Sequence, residues 1–221
     1  MSASIHPVPI AAGAFGPWLA QTRAALRGTE GAPNVPCGDC TGCCTSGYSV
    51  QLRPDDVAAR ARIPEQLLVR MAGSSPGHLT MRARYDGTCQ MLESGKCSIY
   101  ADRPQTCLDY DCRIFAAAGI AAGGPDKSVI NRRVGQWQFT YPTLEDEQAH
   151  AAVLAAARFI QQCRASFQAP VPASAMGIAV LAIKVYTLFM GRSTEALSDA
   201  DIATSIIATA RAFDEGQLFA Q

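Results

Sequence analysis

The chain has 221 residues, enough for one large domain or one domain with a smaller appendage. Its 19 Lys+Arg balance 19 Asp+Glu, which argues against nucleic acid as the main partner. With 48% hydrophobic and only 17% charged residues, global disorder is excluded and a sizeable core can form. Alanine-rich, aromatic-poor composition points to a core of small-residue helices.

The predicted elements run as follows. Residues 14–28 read as a short amphipathic helix, with Trp18, Leu19 and Leu26 available for burial and Gly28 as its stop. Residues 31–36 are loop by composition. Tyr48, Val50 and Leu52 alternate with polar neighbours, a strand pattern, and Pro54-Asp55-Asp56 suits the first turn of a helix. A second short helix is expected over 64–71. Leu79, Met81, Ala83 and Tyr85 alternate as a strand. Asp86-Gly87 and Ser94-Gly95 are turn signals just ahead of Cys89 and Cys97. Trp137, Phe139 and Tyr141 predict one more strand. Helices follow at about 144–167, 174–190 and 199–214, the first opened by Thr143 and Asp146 in the manner of a capping box.

The expected architecture is α+β: a small irregular cysteine-rich metal module followed by an α-helical hairpin or bundle. An N-terminal helix and loop take 1–36, the module 37–125, and a mainly helical region packed on it 126–221.

Nine cysteines are the outlier, eight of them between Cys37 and Cys112. Their meaning depends on compartment. No basic stretch precedes an apolar core at the N-terminus, and Pro7, Pro9 and Pro17 break its apolar run, so no secretory signal is expected. The longest apolar stretch, 175–190, contains Lys184 and is too short to span a bilayer comfortably. A cytoplasmic protein with reduced thiols and no membrane association is the expectation, and metal is favoured over disulfides.

The spacing is C-x2-C-x2-C-C, then C-x7-C-x9-C-x4-C. Two-residue spacers let thiolates turn toward one soft or borderline ion, and Gly38 and Gly42 ease the tight backbone. Eight thiols suit two four-thiolate sites, although spacing alone also allows one centre. In extended backbone, adjacent Cys43 and Cys44 would point to opposite faces and serve different centres. Cys37, Cys40 and Cys43 match the first three positions of the bacterial ferredoxin run, whereas the second half fits a zinc ribbon poorly. An iron–sulfur cluster is therefore placed ahead of zinc. Cys163 reads as a small buried apolar residue of a helix. His6, His78 and His150 read as surface residues, the acid run 145–147 as a charged helix start, and Arg132-Arg133 as too small a patch to bind phosphate.

Cys37-x2-Cys40-x2-Cys43-Cys44, taken with Cys97-Ser-Ile99-Tyr100-x2-Arg103-Pro104-x2-Cys107, resembles the bacterial CxxCxxCC family, the YkgJ-type cysteine cluster proteins described as zinc- or iron-chelating. The resemblance covers residues 37–113. It implies that Cys37, Cys40, Cys43, Cys44, Cys89, Cys97, Cys107 and Cys112 are metal ligands. Family members often carry Arg directly after the cysteine matching Cys107; here Leu108 stands there, and Arg113 follows Cys112. Pro104 disfavours helix at Arg103, which lies between two thiols in sequence, placed to offset their charge or donate to a sulfur. Ile99 and Tyr100 are placed to shield the site or fill the module's core.

Three functions compete. The first is a metal-binding protein with a structural or redox centre and a protein partner or second copy on the C-terminal helices. The second is an enzyme: flagellin lysine N-methylases are similar in carrying a related cysteine cluster and use S-adenosylmethionine. Here the nearest Gly-rich candidate, Gly119-x3-Gly123-Gly124, follows a helical pattern rather than a strand. The third is a metal chaperone, which would hold its ion exchangeably.

Overall fold

The computed structural model describes residues 8–191 and 196–216. In chain order the elements are β1 (Ile10–Ala14), α1 (Phe15–Leu26), β2 (Val50–Leu52), α2 (Val57–Arg62), β3 (Leu68–Val69), β4 (Leu79–Met81), β5 (Leu92–Glu93) and β6 (Lys96–Cys97). They continue with α3 (Gln105–Asp109), α4 (Arg113–Ala118), α5 (Ser128–Val134), β7 (Trp137–Thr140), α6 (Leu144–Gln162), α7 (Ala175–Val185) and α8 (Asp199–Glu215). The fold is α+β, with small sheets and long C-terminal helices, as composition and periodicity predict. None of the described helices is long and apolar enough to cross a membrane. The chain divides into two compact units: Met1–Pro33 with Cys112–Gly123 and Val134–Gln221, and Asn34–Asp111 with Gly124–Arg133.

The first unit is built from helices over one small parallel sheet. β1 pairs with β7, Ile10 opposite Trp137 and Ala14 opposite Thr140, with an irregularity between Ala11 and Gly13, whose φ is +96°. β1 escapes sequence reading because Ile10-Ala-Ala-Gly-Ala has little strand propensity of its own; pairing with β7 defines it. α6 buries Ala149, Ala152, Val153, Ala156, Ala157 and Ile160, a stripe at helical spacing. Small side chains let α7 approach it closely, and α7 itself buries Ile178, Ala179, Leu181, Ala182, Ile183 and Val185. The expected capping box is present: Asp146 N donates to Thr143 Oγ1 at 3.2 Å and Thr143 N to Asp146 Oδ2 at 3.1 Å. Ser174 and Ser198 cap α7 and α8 more simply, their Oγ accepting from Gly177 N and Asp201 N. At the other end of α7, Arg23 Nη1 donates to the carbonyls of Ile183 and Lys184, answering two C-terminal acceptors.

The second unit holds a three-stranded antiparallel sheet in the order β2-β4-β3, with Val50 and Leu68 both opposite Met81. Its core is Val50, Leu52, Ala59, Ile63, Met81, Met91 and Ile99. Two expectations fail here. Residues 64–71 form only a short turn at Glu65–Leu67 before entering β3, because Leu68 and Val69 gain sheet partners and burial that an isolated one-turn helix lacks. The helix after Pro54 starts only at Val57, because Asp56 Oδ2 accepts from Arg53 N and closes a turn first. The Ser94-Gly95 signal is the tip of the β5–β6 hairpin, both residues having positive φ, 48° and 75°. Helices α3, α4 and α5 are too short to register as periodicity.

Candidate metal centre

The first cysteine motif is a run of tight turns. Cys40 N donates to Cys37 O at 3.0 Å, and Gly38 between them has φ +58°, which a residue with a Cβ rarely adopts. Gly42 N points at Cys40 Sγ from 3.4 Å. Residues Cys43–Thr45 then form a 3-10 turn, and Ser46 Oγ ties back to Gly42 O at 2.6 Å. Cys43 and Cys44 therefore do not lie in extended backbone and do not diverge to opposite faces. Their sulfurs are 4.0 Å apart. A zinc–sulfur length of about 2.3 Å puts two sulfurs of a tetrahedral site about 3.8 Å apart, so the pair has the spacing of neighbouring ligands.

Backbone bonds carry the motif to the second half. Cys89 N donates to Cys44 O at 2.6 Å, and Gly47 N to Gly87 O at 2.8 Å. The β5–β6 hairpin sets Cys97 opposite Leu92, and Leu92 N bonds to Cys89 O. Cys107 lies on α3, whose start is fixed by Pro104. The free N–H of Gln105 is answered by Asp56 Oδ1 at 2.7 Å, 49 residues away in sequence. Arg53 holds Asp109 at 2.8 Å, at the far end of α3. Cys89, Cys97 and Cys107 all pack, partly buried, against the same apolar core.

Seven of the predicted ligands thus fall in one unit. Among them Cys44, Cys89, Cys97 and Cys107 act on one another's charge in every pairing. Burial pushes the Cys107 thiol up to about 12, with Cys89, Cys44 and Cys97 adding to it. Burial also raises Cys89, Cys97 and Cys37. The hydrogen bond between Cys43 and Cys44 raises Cys43 and lowers Cys44. Cys37 interacts with Cys40 and Cys43. Such a cluster of partly buried sulfurs, which repel one another as thiolates, ionises together when a cation replaces the protons. Among the described residues no group of three or more His, Cys, Asp or Glu side chains is gathered closely enough to hold a metal ion as placed. The donors nonetheless fit a soft or borderline metal in kind, being all sulfur, and one orphaned donor, Arg103 Nε, is buried in the same unit.

Cys112 belongs to the other unit, where it is buried and accepts a hydrogen bond from Trp137 Nε1 at 3.2 Å. The arginine that follows it, Arg113, is buried and donates from Nη1 to Ala12 O, which anchors β1. Cys163 corrects an expectation: it caps the end of α6 and is only partly buried. His150 corrects another. It stacks on Phe15 with ring centroids 4.4 Å apart and is mostly buried rather than a surface residue. His78 is exposed, and His6 lies outside the described residues.

Sequence reading missed the residues that brace the motif. Arg133 reaches Cys37 O at 3.5 Å and Asp39 at 3.6 Å, so it serves the loop of the first two cysteines. Lys127 Nζ donates to Ser46 O and lies 4.2 Å from the centre of the Tyr48 ring. The second basic residue of Arg132-Arg133 was visible as charge; its target, a backbone carbonyl nearly a hundred positions upstream, was not.

No curated protein and no solved structure matches the chain. A family model does match, over about two fifths of it: residues 36–123 fit the CxxCxxCC family, described as a putative zinc- or iron-chelating domain. The stretch that carries the cysteine motifs is thus similar to a family described by metal chelation, which is the family its motifs resemble.

Proposed function

We propose that the unit containing residues 34–111 is a metal-binding module in which Cys44, Cys89, Cys97 and Cys107 hold one centre through their thiolates. An iron–sulfur cluster is the first assignment and zinc the second. The observation that carries this reading is that Cys89, Cys97 and Cys107 pack against one small core and Cys44 lies within charge range of all three. Four thiolates suit either a tetrahedral zinc or a four-iron cluster. The ferredoxin-like spacing of Cys37, Cys40 and Cys43 favours iron, and these three thiols flank the quartet as a further donor set. The centre's role is structural or redox, with a protein partner as recipient of its electrons or its fold. A core of seven apolar residues is small for a unit of this length, so metal binding would contribute directly to its folding.

The test is metal and sulfide analysis with an absorption spectrum on full-length protein purified without oxygen. Stoichiometric iron and sulfide with broad sulfur-to-iron absorption is the expected result. Colourless protein with stoichiometric zinc would make the centre purely structural. Protein that binds neither metal on reconstitution would overturn the reading.

A further inference from the structure

We infer that Arg103 donates its buried Nε–H to a sulfur of the metal-loaded centre and offsets part of that centre's negative charge, a positioning residue that sets how tightly the metal is held. This rests on the metal-binding reading above.

Three observations converge on it. Arg103 Nε is buried and has no hydrogen-bond partner among the described residues. Buried polar groups are almost always paired, and an arginine has no acceptor or neutral form through which to relieve the cost. The side chain is also held in place. Arg103 has φ −58° and ψ 141°, the extended geometry that a following proline enforces. Its guanidinium carbon lies 3.7 Å from the centre of the Tyr100 ring, so the aromatic face fixes the plane of the fork. Finally, Arg103 directly precedes Pro104 at the start of α3, the helix that carries Cys107, and lies close enough to Cys37, Cys44, Cys97 and Cys107 for its charge to reach sulfurs from both halves of the motif.

A neutral thiol is a weak acceptor and a metal-bound thiolate a good one. The orphaned donor is therefore explained if the state the protein is built for is the loaded one. A tetrathiolate around a divalent ion carries net negative charge, and a guanidinium beside it stabilises that charge where water is thin. Tyr100 then has a defined part: its ring holds the arginine rather than the metal. Outer partners of this kind typically change metal affinity by 10- to 100-fold when removed.

The test titrates full-length protein with Cd(II) against a competing chelator, for wild type, Arg103→Gln and Arg103→Lys. Arg103→Gln is expected to weaken Cd(II) by about tenfold or more, and Arg103→Lys, which restores charge and a donor, to recover most of that loss. In parallel, wild type carrying 15N-arginine and loaded with 113Cd should show the Arg103 Nε–H resonance moved downfield and coupled to the metal across the sulfur. Unchanged affinity in Arg103→Gln overturns the inference, as does a lysine variant no better than the glutamine one. If Arg103→Gln fails to fold, the wild-type resonance decides: an Nε–H that does not respond to metal overturns it. Wild-type protein that takes up no Cd(II) would instead overturn the metal-binding reading itself.

Discussion

The cysteines divide by environment, and the division makes ligand and bystander experimentally separable. Cys44 meets Cys43 sulfur to sulfur at 4.0 Å and interacts with Cys89, Cys97 and Cys107. Cys163 ends α6 in the other unit. Replacing Cys44 by Ser is expected to remove most bound metal, and Cys163→Ser to leave metal per chain unchanged; elemental analysis of both variants checks the pair. His150 supplies a second prediction. Burial lowers its pKa, with the backbone of Ala116 and Ala117 opposing, and Tyr141 Oη lies 2.6 Å from Nδ1. The folded state thus prefers the neutral ring. Its contribution is complete above the ordinary histidine value near 6.5 and is lost as pH falls below that value toward the depressed one, because only the unfolded chain takes the proton there. Urea unfolding of wild type and His150→Phe at pH 7.5 and pH 5 should show a larger loss of stability at pH 5 in wild type. An equal loss in both would remove His150 from the account.

Among elements, the long helices owe their legibility to redundant signals. α6 has an apolar stripe, an acidic first turn and a capping box, all of which the sequence displays in order. Thr143→Ala deletes the cap and is expected to cost about 1 kcal/mol, read as a lower unfolding midpoint with α6 still helical. The cysteine unit is nearly silent by comparison, for a physical reason. Alternation marks β2 and β4, though it overruns β4 as far as Tyr85; β3, β5 and β6 are two residues long and α3 is a single turn, so none of those has a period to detect. They exist through distant partners: Leu68 through Met81, and the start of α3 through Asp56. The cysteine motif stands out by its spacing because metal chemistry constrains short intervals, whereas the bends that bring Cys44 to Cys89 were visible only as scattered glycines. Asp56 is the sharpest test of this dependence. Asp56→Ala unties α3 and the turn before α2 together, and should weaken metal binding although Asp56 has no sulfur and no place in the motif. A chelator competition showing wild-type affinity would mean that α3 needs no such anchor.

At the scale of the whole molecule, the two units draw on different sources of stability. The unit containing α6, α7 and α8 has a continuous apolar core in which Phe15, Phe115, Ile160, Ile183 and Ile206 are fully buried. Burying side chains of that size stabilises by roughly 1.5–3 kcal/mol each before entropy is charged. The unit of residues 34–111 and 124–133 has a seven-residue apolar cluster, with Ile130 also buried, and a set of thiols that repel one another when ionised. If metal supplies what that core lacks, then removing it should act on one part of the chain only. Hydrogen exchange on the full-length protein, before and after chelation under reducing conditions, is expected to lose protection across residues 34–111 and 124–133 while amides of 144–162, 175–185 and 199–215 keep theirs. Loss of protection across the entire chain would mean that the helices depend on the metal as well. Unchanged protection everywhere would mean that the thiol cluster is folded without its ion, and a labile, exchangeable metal would then describe the site better than a structural one.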